Sequence, residues 1–178
     1  MLESLITSKT RIKLLLKFFL NSNTTSYLRG LEPEFEESTN AIRQELNRFE
    51  KAGLLQVKQE GNKKVYHANT KHPLFSDLNS LLMKHVGLDQ VIDKVTNKLV
   101  SIDKVYLTGD LAKGIDSNII NLIFVGDRFD EKNIQELISK ARKLLKRNIQ
   151  YVILTLQEAQ VLFKTNSEKE LLLLWSKE

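Results

Sequence analysis

The chain has 178 residues, enough for one large domain or two small ones, and its 42% hydrophobic and 28% charged content is that of an ordinary globular protein. No apolar run approaches the roughly 20 residues that span a bilayer, and the absence of cysteine excludes disulfides and thiolate metal sites. The net charge of +5 is uneven: residues 1–72 hold twelve Lys and Arg against eight Asp and Glu, and residues 73–178 hold fifteen against fourteen. A local positive excess is what counterion release from DNA requires. The opening MLESLITSKTRIK places its acid before its bases and offers no small-residue cleavage site, so it does not read as a signal peptide. A cytoplasmic location is expected.

Ser8 to Leu20 opens with a capping serine and places Ile12, Leu15, Leu16 and Phe19 at helical spacing. A short helix is expected over Ser26–Leu31, with Pro33 and the acidic Glu34–Glu37 segment breaking the chain into a turn. The next helix starts at Ser38 or Thr39, buries Ile42, Leu46 and Phe49 at i, i+4 and i+7, and ends at Gly53. Leu55 to Gln59 then alternates with period two, turns at Glu60-Gly61-Asn62 and returns as Lys63–Ala68, a hairpin with a basic flank. Helix, short helix, turn, capped helix and hairpin compose a winged helix–turn–helix.

Beyond Pro73, Leu74, Leu78, Leu81, Leu82 and Val86 share one helical face, and a break at Gly87 precedes a second helix over Leu88–Leu99. Strands are expected at Lys104–Thr108, Ile120–Val125 and Ile149–Thr155, helices at Asp130–Arg147 and Gln157–Thr165, and a last, strongly apolar helix at Glu168–Trp175. The expected fold is α+β: a DNA-binding domain at 1–72, a helical connector at 73–100 and an α/β domain at 101–178.

Phosphates are held by Lys, Arg and backbone N–H groups, whereas base edges are read by side chains such as Arg, Asn and Gln. The helix after Ser38 presents Asn40, Arg43, Gln44, Asn47 and Arg48 opposite its buried stripe. Arg43 and Gln44 are the expected base readers, followed by Asn40. Ser38, Thr39 and Arg48 are expected on phosphates, and Lys63 and Lys64 at the flanking minor groove or backbone. Glu45 and Glu50 are expected to interrupt this positive face. His67 and His72 are close in sequence, but wing and linker surface is the simpler reading, and no metal or other cofactor is expected.

The segments SKTRIKLLLKFFLN, TSYLRGLEPEFEESTNAIRQELNRFEKAGLL and VKQEGNKKVYHANTKHPLF, together covering roughly residues 8–75, resemble winged-helix regulators of the arsenical-resistance-repressor type. They are more similar still to the subgroup fused to a minimal nucleotidyltransferase-like domain. In that second domain, the resemblance implies a glycine–serine pair after the first strand that positions nucleotide phosphates. It also implies two aspartates, one residue apart on the next strand, that hold divalent metals.

Here Val105–Gly114 resembles the phosphate loop and Ser117–Gly126 the metal-bearing strand. Gly109 and Gly114 are kept, and Lys113 lies between them. Asp110 stands where serine is expected, and Ile119 and Asn121 occupy the two metal positions. Isoleucine cannot ligate a metal, and a neutral amide is a poorer magnesium ligand than a carboxylate. The resemblance therefore implies a vestigial nucleotide site at Gly109, Asp110, Lys113, Gly114 and Asn121, without catalysis. The expected function is sequence-specific binding of double-stranded DNA by a homodimeric transcriptional regulator, with the second domain serving dimerisation or the sensing of a small-molecule or nucleotide effector. No membrane association is expected. The alternative is an active nucleotidyltransferase that modifies a protein or RNA partner.

Overall fold

The structure, a computed structural model, describes residues 2–98, 102–127, 129–145, 147–165 and 170–177. Leu99 and Glu168, both placed in helices by the sequence pattern, lie outside the described residues. The fold is α+β, and the chain divides into two compact units, Met1–His85 with Gly114–Asp116, and Val86–Lys113 with Ser117–Glu178. Among the described residues no helix is long and apolar enough to cross a membrane.

The first unit begins with α1 (Leu2–Leu5) and α2 (Lys9–Leu15), which Ser8 caps by accepting the Arg11 N–H at 3.2 Å. Helix α2 runs into a π-helical turn over Leu16–Leu20, in which every side chain is buried. The carbonyls of Phe19 and Leu20, left open by the end of this turn, accept the Asn79 amide at 2.7 and 3.2 Å. Next come β1 (Thr25–Tyr27), α3 (Leu28–Phe35), α4 (Thr39–Lys51), β2 (Leu55–Glu60), β3 (Lys63–Ala68) and α5 (Phe75–Val86).

The expected short helix at Ser26–Leu31 is displaced. Thr25–Tyr27 pairs antiparallel with His67–Val65 and completes a three-stranded sheet of order β1-β3-β2. The free edge of β3 thus claims residues that lack an apolar helical stripe. Helix α3 then continues through Pro33, where a turn was expected, because Leu31 and Phe35 at i and i+4 are both buried. It ends only at Glu36, in left-handed conformation with φ 53°. The hairpin is as read: Glu60 faces Lys63 across a two-residue loop, with Gly61 at φ 58°. Phe19 meets Phe49 edge-on at 6.4 Å between ring centroids, in a core shared with Ile12, Leu31, Ile42, Leu46 and Leu55.

The second unit contains α6 (Leu88–Lys98), β4 (Lys104–Thr108), α7 (Gly109–Ala112), β5 (Ile119–Val125), α8 (Glu131–Leu144), β6 (Asn148–Leu154), α9 (Leu156–Thr165) and β7 (Leu172–Ser176). Its sheet has the order β6-β5-β4-β7, with β5 and β6 parallel and the other pairs antiparallel. Ile120, Leu122 and Phe124 fill one face of β5. On the other, Ile123 and Val125 pack with Ala159, Leu162 and Phe163 of α9.

The expected C-terminal helix is instead strand β7. A run of five apolar residues carries no periodicity that separates a helix from a strand. The exposed edge of β4 decides, as Leu107 pairs with Leu172 and Val105 with Trp175.

Candidate nucleic-acid interface

Helix α4 is fixed at both ends. Ser38 caps it by accepting the Ala41 N–H at 3.2 Å, and Gly53, at φ 73°, leads the chain away after the Ala52 cap. Ile42, Leu46 and Phe49 anchor the helix, which leaves Asn40, Arg43, Gln44, Asn47 and Arg48 exposed along its outer side. The hydroxyls at its start are partly committed. Ser38 uses its oxygen as the cap acceptor and keeps only its proton to offer, and Thr39, half-buried, donates to the Glu32 carboxylate of α3.

Glu45 does not interrupt the face, contrary to its sequence reading. Its side chain is 8% exposed and turns inward, where it accepts from Arg11 Nε at 2.9 Å, Arg11 Nη2 at 3.1 Å and Arg48 Nη1 at 2.9 Å. Burial acts to raise its pKa, but the hydrogen bond and charge of Arg11, with help from Arg48 and Ser8, hold the carboxyl below the ordinary range. Glu50 is half-buried and lies 3.8 Å from Lys64, so its charge is partly answered from the hairpin.

Between α4 and the hairpin runs a groove of about 590 Å³. Arg43 and Asn47 line it from α4, and Asn62, Lys63, Lys64 and Tyr66 line it from the hairpin. The third wall is Tyr27, Leu28 and Arg29, where β1 passes into α3. Four cationic side chains thus face one concavity that, among the described residues, no carboxylate lines, Glu50, paired with Lys64, lying outside its lining. Lys63 lies over the Tyr27 ring, 4.4 Å from its centroid. Tyr66 is buried at the base, and burial, with the nearby Glu50 charge, pushes its phenol pKa up against the opposing effect of Arg43. A groove of this composition can seat a phosphodiester strand, with Arg and Lys on the anionic oxygens and Asn amides on either backbone or base edges.

Of the residues singled out in sequence, Arg43, Asn47, Lys63 and Lys64 meet in this groove, whereas Ser38, Thr39, Asn40, Gln44 and Arg48 do not line it. Tyr27, Arg29 and Asn62 were missed. One signal was available: Arg29 is the only Lys or Arg between Lys17 and Arg43. It could be interpreted only once β1 was known to carry its neighbour Tyr27 to the hairpin.

In the second unit, Thr108 pairs with Asn121 across β4 and β5, and Gly109, at φ 73°, begins α7. A Cβ on Gly109 would lie 2.7 Å from Asn121 Nδ2, so the amide is packed against the loop. Ile119, two residues before Asn121 on the same strand face, is 37% exposed. Asp110 is exposed in the first turn of α7, and Lys113 pairs with Glu170 at 3.1 Å; Gly114, which belongs to the first unit, has φ 74°. Among the described residues, no group of three or more His, Asp or Glu side chains is placed to hold a metal ion. His72 Nδ1 accepts the Leu74 N–H at 3.1 Å, and His67 lies within β3.

No protein-family model matches the chain, and no curated protein matches it. Among solved structures, it is similar to a predicted DNA-binding transcriptional regulator from E. coli, at TM-score 0.37 and 16% identity over 49% of this chain and 84% of that one. It is also similar to a suggested nucleotidyltransferase from Sulfolobus solfataricus, at TM-score 0.37 and 20% identity over 55% of this chain and 83% of that one. A third likeness is to Sso10a-2, a DNA-binding protein from Sulfolobus solfataricus, at TM-score 0.34 and 17% identity over 52% of this chain and 96% of that one. These are partial resemblances of chain path, and the interface is read from its own residues.

Proposed function

We propose that this protein is a sequence-specific, double-stranded-DNA-binding transcriptional regulator whose first unit is a winged helix–turn–helix. The observation that carries the reading is the groove in which Arg43 and Asn47 of α4 face Arg29, Lys63 and Lys64 with no carboxylate among the described residues of its lining. In this reading α4 enters the major groove, Arg43, Gln44, Asn40 and Asn47 reach base edges, and Arg29, Lys63 and Lys64 hold the backbone. The protein acts as a cytoplasmic homodimer, because one reading helix gives modest affinity and a two-fold pair doubles the contacts.

The second unit serves dimerisation or effector binding rather than catalysis. Ile119 and Asn121 in place of two carboxylates support that assignment, as does the Asn121 amide packed against Gly109. No cofactor is required.

Selection from a random duplex pool, followed by titration of the selected site at several salt concentrations, tests the reading. Enrichment of a defined sequence is expected, with binding that weakens steeply as salt rises. Changing Arg43 and Gln44 together to Ala is expected to cost at least about tenfold in affinity for that site and to relax its sequence preference. Wild-type affinity in that double variant would remove α4 as the reader. Incubation with labelled nucleoside triphosphates and magnesium or manganese is expected to give no transfer to protein or RNA, and incorporation would overturn the non-catalytic assignment.

A further inference from the structure

Glu45 is an unusual residue to find in the middle of a helix that meets DNA. It follows the exposed Gln44 directly and lies one turn from Arg48, yet its carboxylate is among the few buried charged groups of the first unit. Four donor contacts converge on its two oxygens. Oε2 takes Arg11 Nε at 2.9 Å, while Oε1 takes Arg11 Nη2 at 3.1 Å, Arg48 Nη1 at 2.9 Å and the Ser8 hydroxyl at 3.3 Å. The fork of Arg11 ties the start of α2 to α4, since Ser8 and Arg11 already form the α2 cap.

Arg48 enters on different terms. It is 61% exposed and would be a free cation beside the reading face if Glu45 were neutral. With Glu45 ionised, the three groups together carry one positive charge instead of two. A neutral hydrogen-bonding residue could still join α2 to α4, so the negative charge has a consequence that helix docking alone does not require.

We infer that Glu45 is a positioning residue that sets the sequence-independent part of the affinity: it holds Arg48 back from phosphate and so lowers binding to every duplex, correct site or not, by the same factor. The inference rests on the DNA-binding reading above. Nonspecific binding is dominated by the number of phosphates neutralised, so withholding one cation lowers it without touching a base contact. The cations that line the groove, Arg29 of α3, Arg43 of α4 and Lys63 and Lys64 of the hairpin, are unaffected, because none of these bonds to Glu45.

The test compares wild type, Glu45→Gln, Arg48→Ala and the double variant Glu45→Gln/Arg48→Ala on the selected duplex and on a scrambled duplex of the same length, across a salt series. Glutamine keeps the size and an acceptor oxygen but removes the charge. For Glu45→Gln, the slope of log affinity against log salt is expected to steepen by about 0.9, the value for one more neutralised phosphate, and affinity for the selected and the scrambled duplex is expected to rise by the same several-fold factor. The double variant is expected to return to the wild-type slope, which a purely structural role of Glu45 would not produce. Arg48→Ala alone is expected to leave the slope unchanged, and this arm stands even if Glu45→Gln folds poorly. An unchanged slope in folded Glu45→Gln, or a shallower slope in Arg48→Ala, overturns the inference while leaving the DNA-binding reading intact. Failure of the wild type to bind any duplex overturns both.

Discussion

Lys63 at the hairpin tip lies 4.4 Å from the ring centroid of Tyr27, the last residue of β1. This contact links the hairpin to the start of α3 and holds a flexible, solvent-exposed cation at the groove. Tyr27→Phe keeps the ring and is expected to bind duplex like the wild type. Tyr27→Ala removes it and is expected to weaken binding by about two- to five-fold, the equivalent of about 0.5–1 kcal/mol for an exposed cation–π pair. Fluorescence anisotropy with a labelled duplex distinguishes the two, and equal loss in both variants would point to the phenol hydroxyl instead.

Arg29 stands at the groove wall opposite the hairpin, at the second position of α3. It has no base-reading partner beside it in sequence, so its expected role is on phosphate. Arg29→Ala is expected to weaken selected and scrambled duplexes by the same factor and to reduce the salt slope by about 1. Arg43→Ala is expected to hit the selected duplex harder, by about 1–3 kcal/mol if the contact is bidentate to a base. If Arg29→Ala changed sequence preference, its assignment to the backbone would be wrong.

How far the sequence led can be seen in these same residues. The stripe of Ile42, Leu46 and Phe49 and the caps at Ser38 and Gly53 were enough to orient α4 and expose Arg43 and Asn47. The Gly61-Asn62 turn was enough to place Lys63 and Lys64 together. Arg29 could not be placed, because its position depends on β1 pairing with the distant β3. Glu45 was misread for a related reason: helical spacing puts it at the edge of the buried stripe, and only the arrival of Arg11 from α2 makes inward burial of the charge favourable. In the second unit, alternation and glycines marked β4 and β5, whereas Leu171–Trp175 had no pattern of its own and took its conformation from the edge of β4.

The buried carboxylate also sets an acid limit on the first unit. Burial alone would raise the Glu45 pKa, but Arg11 and Arg48 outweigh it and the folded value lies below the ordinary one. A depressed carboxyl pKa contributes stability that is complete above the unfolded value of about 4.3 and is lost as pH falls through the folded value. The wild type is therefore expected to be more stable than Glu45→Gln at neutral pH, with the difference shrinking below about pH 4.3. Thermal unfolding of both proteins from pH 7 down to pH 3 checks this. A difference that stayed constant across the range would mean that the charge of Glu45 is not what the fold uses.

Two glycines in left-handed conformation, Gly61 in the first unit and Gly109 in the second, provide a graded comparison. Gly61 has φ 58° with nothing within 4 Å of where a Cβ would stand, so Gly61→Ala meets the backbone penalty alone, about 1–2 kcal/mol. Gly109 has φ 73° and in addition would bring its Cβ to 2.7 Å from Asn121 Nδ2. Gly109→Ala is therefore expected to cost more than Gly61→Ala, because it must strain the turn and push the amide off the loop. Trp175, the only tryptophan, pairs with Val105 in the same sheet as Asn121, so its fluorescence in urea follows Gly109→Ala in the second unit directly, while circular dichroism in urea follows Gly61→Ala. Adding Asn121→Ala to Gly109→Ala removes the obstructing amide and is expected to return part of the lost stability, leaving the backbone penalty. If the double variant were no more stable than Gly109→Ala, Asn121 would not be the group that closes this loop, and its packing against Gly109 would no longer support the proposal of a non-catalytic second unit.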